Sequence, residues 1–175
     1  MKRQAMAWAA AALLAASGAR AQWEARVLAR LDPDDSEESQ LGGLAGLGLE
    51  VGEGLTVGAY LSAQTVDRDL PRKMSEMYGY GLFLEYDLSY GYDLMPFVGL
   101  SAGILDTTGP SNPTAFHTVG TLGLKYALSP VLDLSGSANL HWADEDLFDY
   151  EKQSVVEWDA DPTDLTFDVG VRFKF

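Results

Sequence analysis

The chain has no cysteine, which removes disulfides, thiolate chemistry, cysteine-ligated zinc and a lipid-modified N-terminal cysteine. It has two histidines, His117 and His141, and only 12 lysines and arginines against 26 aspartates and glutamates. The formal charge of −14 argues against nucleic acid, whose protein partners are usually basic. The alanine-rich run from Ala5 to Ala16 is too short for a membrane-spanning helix, which takes about 20 apolar residues.

That run belongs to a different device. Lys2 and Arg3 form a positive n-region before it, and Ala19-Arg20-Ala21 reads as an A-x-A cleavage site after it. Residues 1–21 are therefore expected to be a signal peptide and residues 22–175 the folded domain. Without Lys2, Arg3 and Arg20 the remaining chain carries 9 basic and 26 acidic side chains, a formal charge of −17.

What the chain has in quantity is glycine, 18 residues, and alternation. In the last eleven residues, Leu165, Phe167, Val169, Val171, Phe173 and Phe175 are apolar, while Thr166, Asp168, Gly170, Arg172 and Lys174 are polar or glycine. Side chains of a strand point alternately to two faces, so this segment has one greasy face and one wet one. Its length suits a tilted strand crossing a bilayer, which takes about 9–11 residues. Ending on Phe175 with Phe167 and Phe173 on the same face, it resembles the C-terminal insertion signal of bacterial outer-membrane β-barrels.

The same pattern recurs from Trp23 to Leu31, Leu41 to Val51, Leu55 to Val66, Met77 to Leu88, Leu94 to Leu105, Phe116 to Leu128 and Val131 to Trp142. Eight strands result. Short connections (52–54, 89–93, 129–130) alternate with long ones (33–40, 67–76, 106–115, 143–163). This pattern predicts an all-β fold: an eight-stranded antiparallel up-and-down transmembrane β-barrel with short periplasmic turns and long external loops.

Alternation alone does not say which face meets lipid, because lipocalin-like barrels turn the apolar face inward. Aromatics decide it. Trp23, Tyr86, Tyr126, Phe173 and Phe175 fall near the periplasmic rim; Tyr78, Tyr80, Phe116, Trp142 and Phe167 fall near the external one. Two aromatic girdles around an aliphatic band match the two interfaces of a bilayer. The other face is mostly small residues, which suit the narrow interior of an eight-stranded barrel. The Met95-Pro96-Phe97-Val98-Gly99-Leu100-Ser101-Ala102-Gly103 strand, the Leu122-Gly123-Leu124-Lys125-Tyr126 strand and the terminal Phe resemble the small outer-membrane barrels of the OmpA/OmpX-like superfamily. With the chain stopping at Phe175, the peptidoglycan-binding domain of OmpA proper is expected to be absent, and cell-wall tethering is not implied.

The inward face carries Glu24, Arg26, Arg30, Glu85, Asp87, Lys125, Asp133, Asp168, Arg172 and Lys174. Strands one and eight are neighbours in a closed barrel, so Arg30 is expected to meet Asp168, and Glu24 to meet Arg172 or Lys174. Buried charges persist mainly when paired, which predicts a salt-bridged plug with at most a narrow water path. The first and fourth external loops hold half of all the acids, including Asp34, Asp35, Glu37, Glu38, Asp144, Glu145 and Asp146. They are a weak candidate cluster for Mg²⁺ or Ca²⁺, bridging to lipopolysaccharide phosphates; a solvated, self-repelling surface is the simpler reading.

Lipid A deacylases among small barrels use a His-x-Ser pair, whereas this chain offers His141-Trp142-Ala143. Ser137 lies about 13 Å from His141 along a strand, and His117 has no obvious partner in sequence. No catalytic residue, cofactor or firm metal ligand is assigned. The reading is a non-enzymatic outer-membrane barrel with a structural or surface-interaction role; a narrow small-solute pore is the alternative, and a lipid-modifying enzyme a more distant one. Expected partners are outer-membrane lipid and lipopolysaccharide, the barrel-insertion machinery through the last strand, and a surface ligand through loop 143–163. A monomer is expected.

Overall fold

The structure, a computed structural model, describes residues 22–31, 41–66, 75–88, 92–107, 114–144, 148–152, 158–161 and 163–175. Each alternating run forms a strand. They are β1 (Gln22–Leu31), β2 (Leu41–Gly52), β3 (Leu55–Val66), β4 (Ser75–Asp87), β5 (Leu94–Thr107), β6 (Thr114–Ser129), β7 (Leu132–Ala143), β8 (Phe148–Lys152), β9 (Trp158–Asp161) and β10 (Thr163–Lys174). Eight of them close a barrel in the order β1-β10-β7-β6-β5-β4-β3-β2. Every barrel pair is antiparallel.

Closure removes the unpaired edges that an open sheet would leave. The seam is β1 against β10, running in register from Glu24↔Lys174 to Leu31↔Phe167. Reciprocal backbone hydrogen bonds between Trp23 and Phe175, 3.0 and 2.9 Å, finish it. One rim collects the short turns. At the first, Gly54 takes φ +79°, a conformation that disfavours any side chain, and a Cβ there would sit 3.0 Å from the Asp87 carbonyl oxygen. Asp87 N–H donates to the Gly54 carbonyl (2.8 Å), Leu88 N–H to that of Pro96 (2.7 Å) and Ala127 N–H to that of Asp93 (2.7 Å), lacing neighbouring hairpins together. Pro96 lacks a donor but still accepts, which fits its place near a strand start.

Burial is inverted relative to a water-soluble protein. Leu61 and Leu82 are each 67% exposed, whereas Arg172 is 1% and Asp133 0% exposed. Both aromatic sets named from the sequence lie on the outer face, with Trp23, Tyr78, Tyr80, Tyr86, Phe116, Tyr126, Trp142, Phe167, Phe173 and Phe175 all exposed. An apolar exterior around a charged interior is what a hydrocarbon surround favours and water opposes.

The sequence expectation of one unbroken loop over 143–163 is corrected. A separate two-stranded sheet, β8 with β9, forms there through Phe148↔Asp161, Glu151↔Asp159 and Lys152↔Trp158. The β7–β10 ladder begins at Thr163↔Trp142. Pro162, which has no N–H to donate to a ladder, stands between β9 and β10 in the sequence. The third long connection is also shorter than expected. β5 and β6 pair as far as Asp106↔Thr114, and the Thr114 hydroxyl donates to the Asp106 carboxylate at 3.0 Å. The signal-peptide reading of residues 1–21 lies outside the described residues.

Candidate functional site in the barrel interior

Because inward positions recur every second residue on eight strands, the interior gathers side chains that are remote in sequence. All ten charges assigned to it are brought together. Nine are buried, and Lys174 is the half-buried tenth. Each has an ion-pair partner, five cations against five anions.

From the short-turn rim upward, Lys174 Nζ lies 2.6 Å from Asp133 Oδ2 and Lys125 Nζ 2.6 Å from Asp87 Oδ1. The next layer centres on Glu85. Its carboxylate takes Lys125 at 2.6 Å, Arg26 Nη1 at 3.0 Å and Arg172. Glu24 joins the same network, 3.2 Å from Arg26 Nη2 and 3.3 Å from Arg172 Nη1. Three cations and three carboxylates thus form one neutral cluster, so no member is left as an isolated ion in low dielectric. Above it, Arg30 grips Asp168 with two hydrogen bonds, Nε to Oδ1 at 2.9 Å and Nη2 to Oδ2 at 3.0 Å.

Two phenylalanines hold the guanidinium planes. Arg26 lies 3.7 Å from the Phe83 ring centroid, and Arg172 lies 4.6 Å and Lys125 Nζ 5.2 Å from that of Phe97. Cations over ring faces are attracted by the ring quadrupole. Glycine makes this possible: a Cβ on Gly58 would collide with Phe83, and one on Gly123 with Phe97.

Arg30 meets Asp168. Of the two partners expected for Glu24, Arg172 is the one it meets, and Lys174 pairs with Asp133. His117, which has no obvious partner in sequence, lies with its Nε2 2.8 Å from His141 Nδ1, and the rings stack at 5.0 Å between centroids. His141 Nε2 is 2.9 Å from the Thr166 hydroxyl. The signal for this pair was available. The 129–130 turn sets Val119 opposite His141 and His117 opposite Ala143, so the two inward rings are diagonal neighbours. Further toward the external rim, Met77, Leu105 and Ala115 form a buried apolar cluster with Ala143 packed against it.

Of the acidic loop residues, Asp144 is described; its carboxylate accepts the Phe116 N–H at 2.6 Å. Asp34, Asp35, Glu37, Glu38, Glu145 and Asp146 lie outside the described residues. Among the described residues no group of three or more His, Cys, Asp or Glu side chains is arranged to hold a metal ion. Among the described residues no helix is long and apolar enough to cross a membrane. Between the Glu85 cluster and the histidines lies a cavity of about 50 Å³, lined among others by Arg26, Arg30, Phe83, Glu85, Asn139 and Arg172.

No family model matches the chain, and no curated protein sequence does. Solved structures do. Neisserial surface protein A aligns with TM-score 0.60 at 14% identity, covering 89% of this chain and 97% of that one. The outer membrane protein OprG from Pseudomonas aeruginosa gives TM-score 0.60 at 14% identity, covering 89% and 96%. The N-terminal β-barrel domain of Pseudomonas aeruginosa OprF gives 0.54 at 14%, covering 89% and 100%. The fold is that of these small eight-stranded barrels. Within such a barrel the interior is filled by side chains, and here the filling is the ion-pair stack.

Proposed function

We propose that the protein is a non-enzymatic outer-membrane barrel whose ion-paired interior acts as a rigid fastening, and whose role is envelope integrity or contact through the external face. The observation that carries this reading is the pairing of all ten interior charges with one another. A conducting pore needs interior charges that face water, and here they face one another. The inverted burial and the outer-membrane neighbours support an outer-membrane location and a lipid and lipopolysaccharide surround. The β8–β9 hairpin, standing apart from the barrel ladder, is the candidate contact element for a surface ligand, and the last strand is the candidate element for the insertion machinery.

The hydrogen bonds of His141 to His117 and Thr166 favour a packing role over nucleophilic catalysis, which needs a base beside an activated serine. The test is reconstitution of the purified protein into planar bilayers. Background-level current is expected. Large, steady conductance steps would overturn the reading in favour of a small-solute pore. Surface proteolysis on intact cells should cut within residues 143–163 and leave the barrel whole; full protection of that segment would remove the contact role.

A further inference from the structure

Beyond the envelope role, we infer that the interior cavity is a binding site for one small monovalent anion of the chloride type. Its wall carries three guanidiniums, Arg26, Arg30 and Arg172, against two carboxylates, Glu85 and Asp168. Three of the polar atoms left over on these lining residues can only donate, and the Tyr60 hydroxyl, also without a partner among the described residues, can donate as well. Arg26 and Arg172 pair with Glu24 and Glu85 through their Nη atoms, and the Nε–H of each has no partner among the described residues. Asn139 accepts the Thr121 hydroxyl on Oδ1 at 3.0 Å, and its Nδ2 likewise has no partner among the described residues.

These three side chains are all at least nine-tenths buried, with Arg26 7%, Arg172 1% and Asn139 3% exposed. A buried donor without an acceptor keeps its full desolvation penalty, and native interiors supply the acceptor as ordered water or an ion. Water is a poor answer to a wall of spare donors, because each water brings two further donors of its own. A halide brings only acceptor capacity, and N–H donors on guanidiniums bind an anion more strongly than neutral donors do. Size agrees: a water needs about 10–15 Å³ on the same measure, so about 50 Å³ takes one halide with a water or two. Larger anions such as gluconate do not fit.

The protein is refolded in detergent at matched ionic strength in sodium chloride, sodium bromide or sodium gluconate. Chloride and bromide should lower the unfolding equilibrium constant about tenfold relative to gluconate once the halide exceeds its dissociation constant by about ten times. Crystals grown in bromide should show an anomalous peak inside the cavity. Asn139→Leu and Asn139→Asp should both abolish the halide dependence, the second by placing a carboxylate where the anion sits. Equal stability in all three salts, together with a cavity free of bromide, would mean water alone occupies it and would overturn the inference. The bilayer current that tests the envelope role is unaffected by either outcome.

Discussion

Arg30 and Asp168 meet through two near-parallel hydrogen bonds, 2.9 and 3.0 Å long, across the seam that joins the first and last barrel strands. The fork-on-carboxylate geometry is specific to arginine. Asp168→Ala should therefore destabilise the folded barrel by about 3–5 kcal/mol, because it strands a buried guanidinium. The double change Arg30→Leu with Asp168→Leu should cost clearly less than the two single changes summed. Urea unfolding in lipid vesicles, followed by tryptophan fluorescence, measures the cycle. Simple additivity would show that the pair is not coupled.

Glu85 serves three cations, Arg26, Lys125 and Arg172. Its replacement by glutamine keeps the size and removes the charge that balances them. A loss of about 3–5 kcal/mol is expected, larger than for Asp133→Asn, which leaves unpaired only the partly exposed Lys174. The same unfolding assay ranks the two, and a smaller effect at Glu85 would contradict the hub arrangement.

Gly123 faces the Phe97 ring so closely that a Cβ would collide with it. Gly123→Val should lose about 1–3 kcal/mol by overpacking. Adding Phe97→Leu should return part of that loss, since the smaller side chain vacates the contested space. If the second change makes matters worse, the collision is not the cause.

The lipid-facing assignment predicts a contrast along one strand. Val169→Arg on the exposed face of β10 should cost about 2–4 kcal/mol near the bilayer midplane. In soluble-protein logic an exposed valine accepts arginine with little loss. Refolding yield and unfolding free energy in vesicles decide between them.

Phe175 tests a different step. If the terminal aromatic serves recognition by the insertion machinery, Phe175→Ser should reduce the amount of barrel recovered from outer membranes of expressing cells. Spontaneous refolding of the purified variant into detergent should proceed nearly as in the parent. An equal defect in both settings would assign Phe175 to barrel stability instead.

The strands were legible because alternation is a local property with period two, readable from Leu165 to Phe175 without knowing any partner. The same holds for the hairpin at Gly52-Glu53-Gly54. The Arg30–Asp168 contact was legible too, since barrel closure makes β1 and β10 neighbours. Glu85 as a shared partner was not. It sits on β4 while Arg26 and Arg172 sit on β1 and β10, 59 and 87 residues away and across the lumen. The His117–His141 contact and the β8–β9 hairpin were missed for related reasons: one needs the hairpin register, the other a second pairing inside what reads as a loop.

By itself the sequence determined which side chains turn inward, which turn outward, and how many strands close the ring, because each of these follows from neighbours two residues apart. Only the tertiary structure decided which inward charge meets which, where the phenylalanine rings lie against glycine, and that a donor-lined cavity remains. Those depend on the stagger between strands and the distance across the barrel, which no stretch of the chain specifies alone.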